Sequence, residues 1–306
     1  MKLVLALLRI FLGVFFILSG ALKLFPVEPF ELSFISMGVA AWNSAPLIAR
    51  AVIGIEWVLG LFFIINFRMK KVTLPASLAL LIIFTGYLLF ELMVQGNTGN
   101  CGCFGIYFQM SPAESLLKNG GLIAMIILLW KIGSDAKYRF QKTIAISGLV
   151  VSLLLPFILN PPDFIARKNL QPETVNFPLD RNKILKENKF GAPPIDLFKG
   201  KHVIAFMTLT CPHCRQAAMK IHVINKRYPE ISFFIFINGK DENLDDFFIS
   251  TNSKDIPHIK MNAEPFASLT GGSWPAIWWI ENGVVVKKSS YFSLNEEELI
   301  AWNNHP

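Results

Sequence analysis

Residues 202–228 read "HVIAFMTLTCPHCRQAAMKIHVINKRY", an apolar run that passes directly into a segment with helical spacing. The run at 202–210 predicts a buried strand, and 211–228 predicts a helix that begins at the cysteine pair. A helix N-terminus offers free N–H groups and partial positive charge, which stabilise a thiolate. We therefore predict that Cys211, at the exposed end, is the nucleophile and that Cys214, one turn further on, is a buried resolving thiol.

The two residues between these cysteines, Pro212 and His213, bear on the chemistry of the pair. His213 adds a potential positive charge next to the Cys211 thiolate, which stabilises the reduced form and makes the disulfide oxidising. A structural disulfide and half of a zinc site are the alternatives. A zinc site would need further Cys or His ligands, and the C-terminal half has no second CxxC motif. A redox-active pair is therefore favoured, and no metal site is expected.

The sequence around the pair alternates between strand-like and helix-like segments. The order β-α-β-α-β-β-α predicts an α/β domain with a central sheet. Ser293, followed three residues later by Glu296, predicts the N-cap of the last helix. The predicted elements after the pair are a strand at 231–239, a helix at 241–252, two strands within 273–288 joined at "ENG", and a helix at 293–303.

The C-terminal part resembles the thioredoxin superfamily over about 190–306. The resemblance rests on the strand–CxxC–helix unit, on the strand order and on "GSWP" at 272–275. In that family a cis-proline lies opposite the active-site disulfide and the residue before it contacts substrate, which implies these roles for Pro275 and Trp274. The preceding segment, 161–190, has prolines and many charges without an apolar period, so we predict a linker there and a domain at 191–306.

Details of this resemblance point to different relatives. The "PH" dipeptide of Pro212 and His213 looks like that of the strongly oxidising periplasmic DsbA proteins. The segment before Pro275 is too short for the large helical insertion of DsbA, and Ala205 stands where thioredoxins carry a buried acid. The compact frame looks more like thioredoxin or membrane-tethered TlpA-type domains, so the direction of electron flow stays open.

The N-terminal half is apolar enough for a membrane. The 306-residue chain is 53% hydrophobic and only 17% charged, and its apolar stretches of about 20 residues should form transmembrane helices. A cleaved signal peptide is the alternative for the first stretch, which has a basic start and small residues at 19–21. The predicted spans lie at about 3–22, 46–66, 72–94, 113–132 and 143–160.

Lys and Arg residues near the ends of these spans predict the orientation. The more basic side should be cytoplasmic, which places the N-terminus inside and both the 95–112 loop and the C-terminal domain outside. The net charge is +7, but the basic residues are scattered or set topology, so no nucleic-acid partner is expected. One side carries Lys2, Arg9, Arg68, Lys70, Lys71, Lys131, Lys137, Arg139 and Lys142, and the other carries Lys23, Arg50 and Lys118.

Glu56 is the deepest ionisable residue in the predicted spans. A charge at that depth is costly, so Glu56 should face the interior of the bundle and either have a partner or be protonated. A proton or cofactor site is the functional interpretation. A structural polar contact, for which Arg9 on the first helix is a candidate partner, is the alternative.

Cys101 and Cys103 lie in "NCGCFG", residues 100–105, within the outward loop. A C-x-C pair can form a strained, labile disulfide or an inert loop staple. All four cysteines of the chain would face one extracytoplasmic side, which permits disulfides. Redox activity at the C-x-C pair is favoured because both pairs share one side of one membrane.

The membrane half resembles the DoxX/MauE family of four-helix membrane proteins over about 1–132. The resemblance rests on "RIFLGVFFILSGALKLF" at 9–25, on "EWVLGLFF" at 56–63 and on "NCGCFG". Some members of that family are linked to quinone-coupled sulfur oxidation, and MauE proteins are associated with the maturation of a disulfide-rich dehydrogenase. Residues 133–160 then form a cytoplasmic connector and a fifth, tethering span.

These features predict a thiol–disulfide oxidoreductase of a bacterial inner membrane, in which a helical bundle precedes a periplasmic α/β domain of thioredoxin fold. Its dithiol would oxidise client proteins and pass electrons through Cys101 and Cys103 to a quinone in the membrane domain, with no covalently bound cofactor. Import of electrons from the cytoplasm is disfavoured because no cysteine lies on the inward side. The alternatives are a reductase that runs in the opposite direction and a dedicated assembly factor for one client.

Overall fold

The chain divides into an all-helical unit, Met1–Pro162, and a unit built on a sheet, Asp163–Pro306. The structure, a computed structural model, describes residues 2–97, 110–132, 139–162 and 171–305. Cys101 and Cys103 lie outside the described residues, so their role stays a prediction.

The helical unit confirms the predicted spans. Within the described residues, five helices are long and apolar enough to cross a membrane. A short helix between the first two spans, α2, was not predicted, and a π-helical turn at Met69–Thr73 precedes α4. The helices are α1 (Lys2–Leu24), α2 (Glu28–Ser36), α3 (Ala45–Ile64), α4 (Leu74–Gln95), α5 (Pro112–Ile132) and α6 (Gln141–Leu159).

Helices α1 and α3 approach each other closely at two glycines. A Cβ added at Gly13 would lie 2.8 Å from the Gly60 carbonyl oxygen, and a Cβ at Gly60 would lie 2.7 Å from the Gly13 carbonyl oxygen. Small residues permit such contacts, which matter because lipid provides no hydrophobic drive for helices to associate. Phe16 of α1 also packs in an apolar core with Phe63 of α3 and Leu122 of α5. This packing makes α1 part of the bundle.

The second unit is built on one mixed sheet, whose described strands follow the order β1-β6-β5-β2-β3-β4. Strand β2 runs parallel to β3 and antiparallel to β5. Its middle residues are buried throughout, as its unbroken apolar sequence predicted. The strands are β1 (Glu173–Pro178), β2 (Lys201–Thr208), β3 (Phe233–Asn238), β4 (His258–Lys260), β5 (Ala276–Glu281) and β6 (Val284–Ser289).

The helices of this unit complete the thioredoxin fold. The elements β2-α8-β3-α9-β5-β6-α11 confirm the predicted order, and the four adjacent strands β6-β5-β2-β3 form the central sheet. Strand β4 and helix α10, which were not predicted, are inserted between α9 and β5. The helices are α7 (Arg181–Leu185), α8 (Pro212–Arg227), α9 (Leu244–Thr251), α10 (Ala263–Thr270) and α11 (Glu296–Asn304).

Two predictions about this unit were wrong. The predicted linker 161–190 contains β1, which pairs with β6, and α7, so the sheet unit begins before residue 191. An edge strand that is largely exposed lacks the apolar pattern that identifies a buried one. The cap of α11 is Asn295, whose side chain accepts a hydrogen bond from the Glu297 amide at 2.9 Å. The hydroxyl of Ser293 instead accepts from the Ser290 amide in the preceding turn.

The α1–α3 contact predicts the effect of a small substitution. In Gly60→Ala the new Cβ would lie 2.6 Å from Ile17 Cγ1 and 2.7 Å from the Gly13 carbonyl oxygen. We expect a loss of about 1–3 kcal/mol of stability, measured as a lower thermal unfolding midpoint of the chain in detergent. Gly86→Ala is the matched control, because a Cβ added there has nothing within 4 Å. Equal unfolding midpoints for the two variants would contradict the close packing.

Candidate functional site

The cysteine pair lies where β2 turns into α8, as predicted. Cys211 is the N-cap of α8, and its sulfur accepts a hydrogen bond from the Cys214 amide at 3.4 Å. Pro212 occupies the first helical position, where the missing N–H leaves no hydrogen bond unmade. Both thiols are free in this structure, with Cys211 half-buried and Cys214 fully buried. A partner sulfur can therefore reach Cys211 but not Cys214.

The surroundings of Cys214 keep its thiol protonated. Burial raises the pKa of Cys214 to about 12, although a hydrogen bond from the Thr208 amide opposes this rise. That amide lies 3.4 Å from the Cys214 sulfur. The predicted roles require this difference in burial between the two thiols. The nucleophile must be accessible to the client, whereas the resolving thiol lies buried next to it.

Arg215, which the sequence reasoning missed, fixes the loop that leads into α8. Its guanidinium donates hydrogen bonds to the Leu209 carbonyl at 3.2 Å, to Ser250 Oγ at 2.5 Å and to Asp246 Oδ2 at 2.5 Å. These bonds tie the start of α8 to the loop before it and to α9. The sequence signal for Arg215 is its position directly after the CxxC motif.

His213 is exposed on the first turn of α8. Its ring stacks on the ring of Tyr291, with centroids 5.8 Å apart and planes 24° apart. Its Nδ1 lies 3.4 Å from Gln216 Oε1. The expected electrostatic effect of His213 on the Cys211 thiolate stays a prediction.

The peptide bond between Trp274 and Pro275 is cis, as the thioredoxin resemblance implies. Ala276 pairs with Phe206 in the antiparallel ladder of β5 and β2. The start of β5 therefore lies beside the end of β2, at the sheet edge that carries Cys211. The Trp274 side chain is 41% exposed there, so a client that reaches Cys211 can also meet this ring.

Glu56 lies in the interior of the helical unit with a partner, as predicted, but the expected partner was wrong. It pairs with Lys23 at 2.7 Å rather than with Arg9, and both paired side chains are 4% exposed. Helix α1 extends beyond the predicted span, which brings Lys23 into the bundle one turn after Ser19. The Lys23 ammonium also donates to Ser19 Oγ at 2.6 Å.

A second buried ion pair joins α2 and α3 through Glu31 and Arg50, at 2.6 Å. Arg50 also donates to the Asn160 carbonyl at 2.5 Å. The Asn160 amide donates in turn to the Leu24 carbonyl at 3.1 Å. The ends of α1 and α6 therefore lie at the same side of the bundle as the Arg50 turn of α3.

No metal site is evident in the part of the chain that the structure describes. No group of three or more His, Cys, Asp or Glu side chains there could hold a metal ion.

Taken together, the fold and the cysteine pair define a membrane protein of the thiol–disulfide oxidoreductase-like class, with a C-terminal domain of thioredoxin fold. Residues 1–132 match the family model of the methylamine utilisation protein MauE, which confirms the MauE part of the predicted resemblance. The chain is also 26% identical over 333 residues to protein TlpB of Flavobacterium psychrophilum, covering 92% of this chain and 89% of TlpB.

Solved structures similar to the C-terminal part include a secreted disulfide oxidoreductase of Mycobacterium tuberculosis homologous to E. coli DsbE. It is 18% identical, with a TM-score of 0.32, and the match covers 40% of this chain and 96% of that protein. The thioredoxin domain of a thiol–disulfide oxidoreductase from Bacteroides vulgatus is 11% identical, with a TM-score of 0.31, and the match covers 36% of this chain and 83% of that domain.

The different burial of the two thiols predicts selective alkylation. In the reduced, folded chain, iodoacetamide at pH 8 should modify Cys211 and leave Cys214 unmodified, because Cys214 is buried and its pKa is raised to about 12. Peptide mass mapping after brief labelling measures this. The same labelling in denaturant is the control and should modify both thiols. Comparable modification of Cys211 and Cys214 in the folded chain would overturn the assignment.

Proposed function

We propose that the chain is a membrane-anchored thiol–disulfide oxidoreductase that oxidises client proteins outside the cytoplasm. The observation that carries this proposal is the asymmetric pair at the start of α8, with Cys211 half-buried and Cys214 fully buried. Thiol–disulfide exchange needs one accessible sulfur to form a mixed disulfide and a second within reach to resolve it. Pro212 and His213, which lie between the two cysteines, match the "PH" dipeptide of the oxidising DsbA proteins that this motif resembles.

The proposed oxidation proceeds in two exchanges. A client thiolate attacks the sulfur of Cys211 in the Cys211–Cys214 disulfide, which forms a mixed disulfide and releases Cys214. Cys214 takes up a proton, since its pKa is raised to about 12. A second client thiolate then attacks the client sulfur of the mixed disulfide and releases Cys211. The client leaves as a disulfide and the pair has gained two electrons. Of the two protons that the client thiols lost, one is on Cys214 and the other passes to Cys211 or to solvent.

Reoxidation of the pair completes the proposed cycle. Cys101 and Cys103, as a disulfide, would exchange with the reduced pair and then pass two electrons and two protons to a membrane quinone, which becomes a quinol. Placing both pairs in one chain makes this exchange intramolecular and raises the effective concentration. The quinone would be a diffusible partner of the membrane domain rather than a covalently bound cofactor.

The proposed topology has the N-terminus in the cytoplasm and the sheet unit in the periplasm of a bacterial cell. The count of Lys and Arg residues supports this topology more strongly when cations in buried ion pairs are left out of the count. Lys23 and Arg50, two of the three cations assigned to the outer side, are engaged in buried ion pairs. Connector charge is therefore concentrated on the side of Arg68, Lys70 and Lys71, which the positive-inside rule places in the cytoplasm.

A dedicated assembly factor for one client is the second candidate. The match of residues 1–132 to MauE supports it, because that protein is named for methylamine utilisation rather than for general thiol oxidation. The exposed ring of Trp274 beside the pair would then contribute to a client-specific surface. The number of clients that form a mixed disulfide separates the two candidates.

Trapping of mixed disulfides tests the proposed chemistry. In Cys214→Ala the Cys211–Cys214 disulfide cannot form, but the Cys211 thiolate can still attack a client disulfide. No second thiol of the pair is left to release the resulting adduct, so mixed disulfides should accumulate. Acid-quenched cells examined by non-reducing electrophoresis and mass spectrometry measure them. Cys211→Ala is the matched control and should accumulate none.

Several trapped clients indicate a general oxidoreductase, and a single client indicates an assembly factor. Equal adducts in Cys214→Ala and Cys211→Ala would contradict the role of Cys211 as the sulfur that bonds to clients.

A further inference from the structure

His213 lies on the face of α8 that also carries Gln216 and Lys220, three and seven residues further along the helix. Two of these side chains contact Tyr291, in the loop between β6 and α11, residues 290–295. His213 reaches the tyrosine ring, and Lys220 reaches the tyrosine backbone. The loop therefore lies along the helix face that begins between the two cysteines.

Lys220 ties this loop to the helix. Its ammonium donates a hydrogen bond to the Tyr291 carbonyl at 2.7 Å, and the lysine is only 9% exposed. A buried ammonium is costly unless its hydrogen bonds are made. This bond therefore holds the Tyr291 backbone at a defined place on α8.

The loop is also closed by hydrogen bonds of its own. The Ser290 amide donates to Ser293 Oγ at 2.9 Å, and the Ser293 amide donates to Ser290 Oγ at 3.2 Å. Bonds of this kind between side chains and backbone order a turn. The ring of Phe292 packs on the Tyr291 ring, with centroids 3.8 Å apart. Tyr291 therefore presents its ring to His213 from an ordered turn.

The Tyr291 ring lies nearly parallel to the His213 imidazole. The centroids are 5.8 Å apart and the planes are 24° apart, and His213 Nδ1 lies 3.4 Å from Gln216 Oε1. An aromatic face attracts a cation within about 6 Å of its centroid. An amide oxygen accepts a hydrogen bond only from a protonated ring nitrogen. Both contacts therefore favour the imidazolium form of His213, which is protonated at both nitrogens.

We propose that Tyr291 is a positioning residue for His213, which it holds beside the cysteine pair and whose imidazolium form it favours. A positive charge next to the reduced pair stabilises the Cys211 thiolate, and a more stable reduced form makes the disulfide more oxidising. Tyr291 thus raises the oxidising power of the pair through His213. The proposal rests on the proposed function, in which His213 serves an oxidising pair, and it adds a residue from a distant part of the sequence.

The equilibrium between the pair and glutathione tests this role. The Cys211–Cys214 disulfide and two glutathione thiols become the Cys211–Cys214 dithiol and glutathione disulfide. The full chain is equilibrated in detergent at pH 7 over a series of glutathione ratios. Differential alkylation and peptide mass mapping then give the reduced fraction of this pair alone. In Tyr291→Leu, which keeps an apolar side chain without a ring, we expect the equilibrium constant to fall about two- to fivefold, the range that one exposed contact of this kind supplies.

Two further variants serve as controls. Tyr291→Phe keeps the ring and should match the original chain. Tyr228→Leu should match it as well, because Tyr228 is also half-buried but lies just beyond the other end of α8. An unchanged constant in Tyr291→Leu, or a fall of the same size in Tyr291→Phe or Tyr228→Leu, would overturn the proposal. Tyr291→Met takes the place of Tyr291→Leu if that variant does not fold.

A double variant separates positioning from packing. In a chain that carries His213→Ala, adding Tyr291→Leu should leave the equilibrium constant unchanged, because the residue through which Tyr291 acts is gone. A packing role without His213 would change the constant by the same factor in both backgrounds, and that result would overturn the proposal.

The role of Tyr291 and the proposed function can fail separately. If the pair of the original chain is strongly reducing against glutathione and Tyr291→Leu still lowers the constant only when His213 is present, the role of Tyr291 is supported and the proposed direction is contradicted. If the pair is strongly oxidising and the constant is the same in Tyr291→Leu, the proposed function stands and the role of Tyr291 is overturned.

Discussion

The hydrogen bond from the Cys214 amide to the Cys211 sulfur, 3.4 Å long, depends on a helix that begins directly at the end of a buried strand. Because β2 is buried along its middle, its end is fixed by packing on both faces. Arg215 then ties the connecting loop to α9 through Ser250 and Asp246. Within this frame one sulfur faces outward and the other is sealed beneath it, which is the arrangement that sequential exchange requires.

In the helical unit, buried polar groups must find partners inside the bundle, because the apolar surroundings offer none. Lys23 meets Glu56, and Arg50 meets Glu31. The Glu31–Arg50 pair anchors α2 to α3 and, through Asn160, links the ends of α1 and α6. The Lys23–Glu56 pair joins α1 to α3 and lines a cavity inside the bundle.

Local patterns predicted much of this architecture. Apolar length identified the spans, unbroken apolar runs identified β2 and β3, and "ENG" identified the hairpin at Asn282 and Gly283, which both have positive φ. The strand β1 was missed because an exposed edge strand lacks a buried pattern, and its pairing with β6 is a long-range contact. The partner of Glu56 was missed for a similar reason, since Lys23 reaches it only through the packing of α1 on α3. Arg215 carries no periodic signal at all.

The central claim is that electrons flow outward from client thiols, through the Cys211–Cys214 pair, to a membrane quinone. The redox state of this pair in living cells, measured by acid quenching and alkylation with a mass tag, tests it most directly. We expect a disulfide in respiring cells and a dithiol when quinone synthesis is blocked or when Cys101→Ser and Cys103→Ser are introduced together. A pair that is a dithiol in respiring cells, or that stays oxidised without quinone and without Cys101 and Cys103, would contradict it.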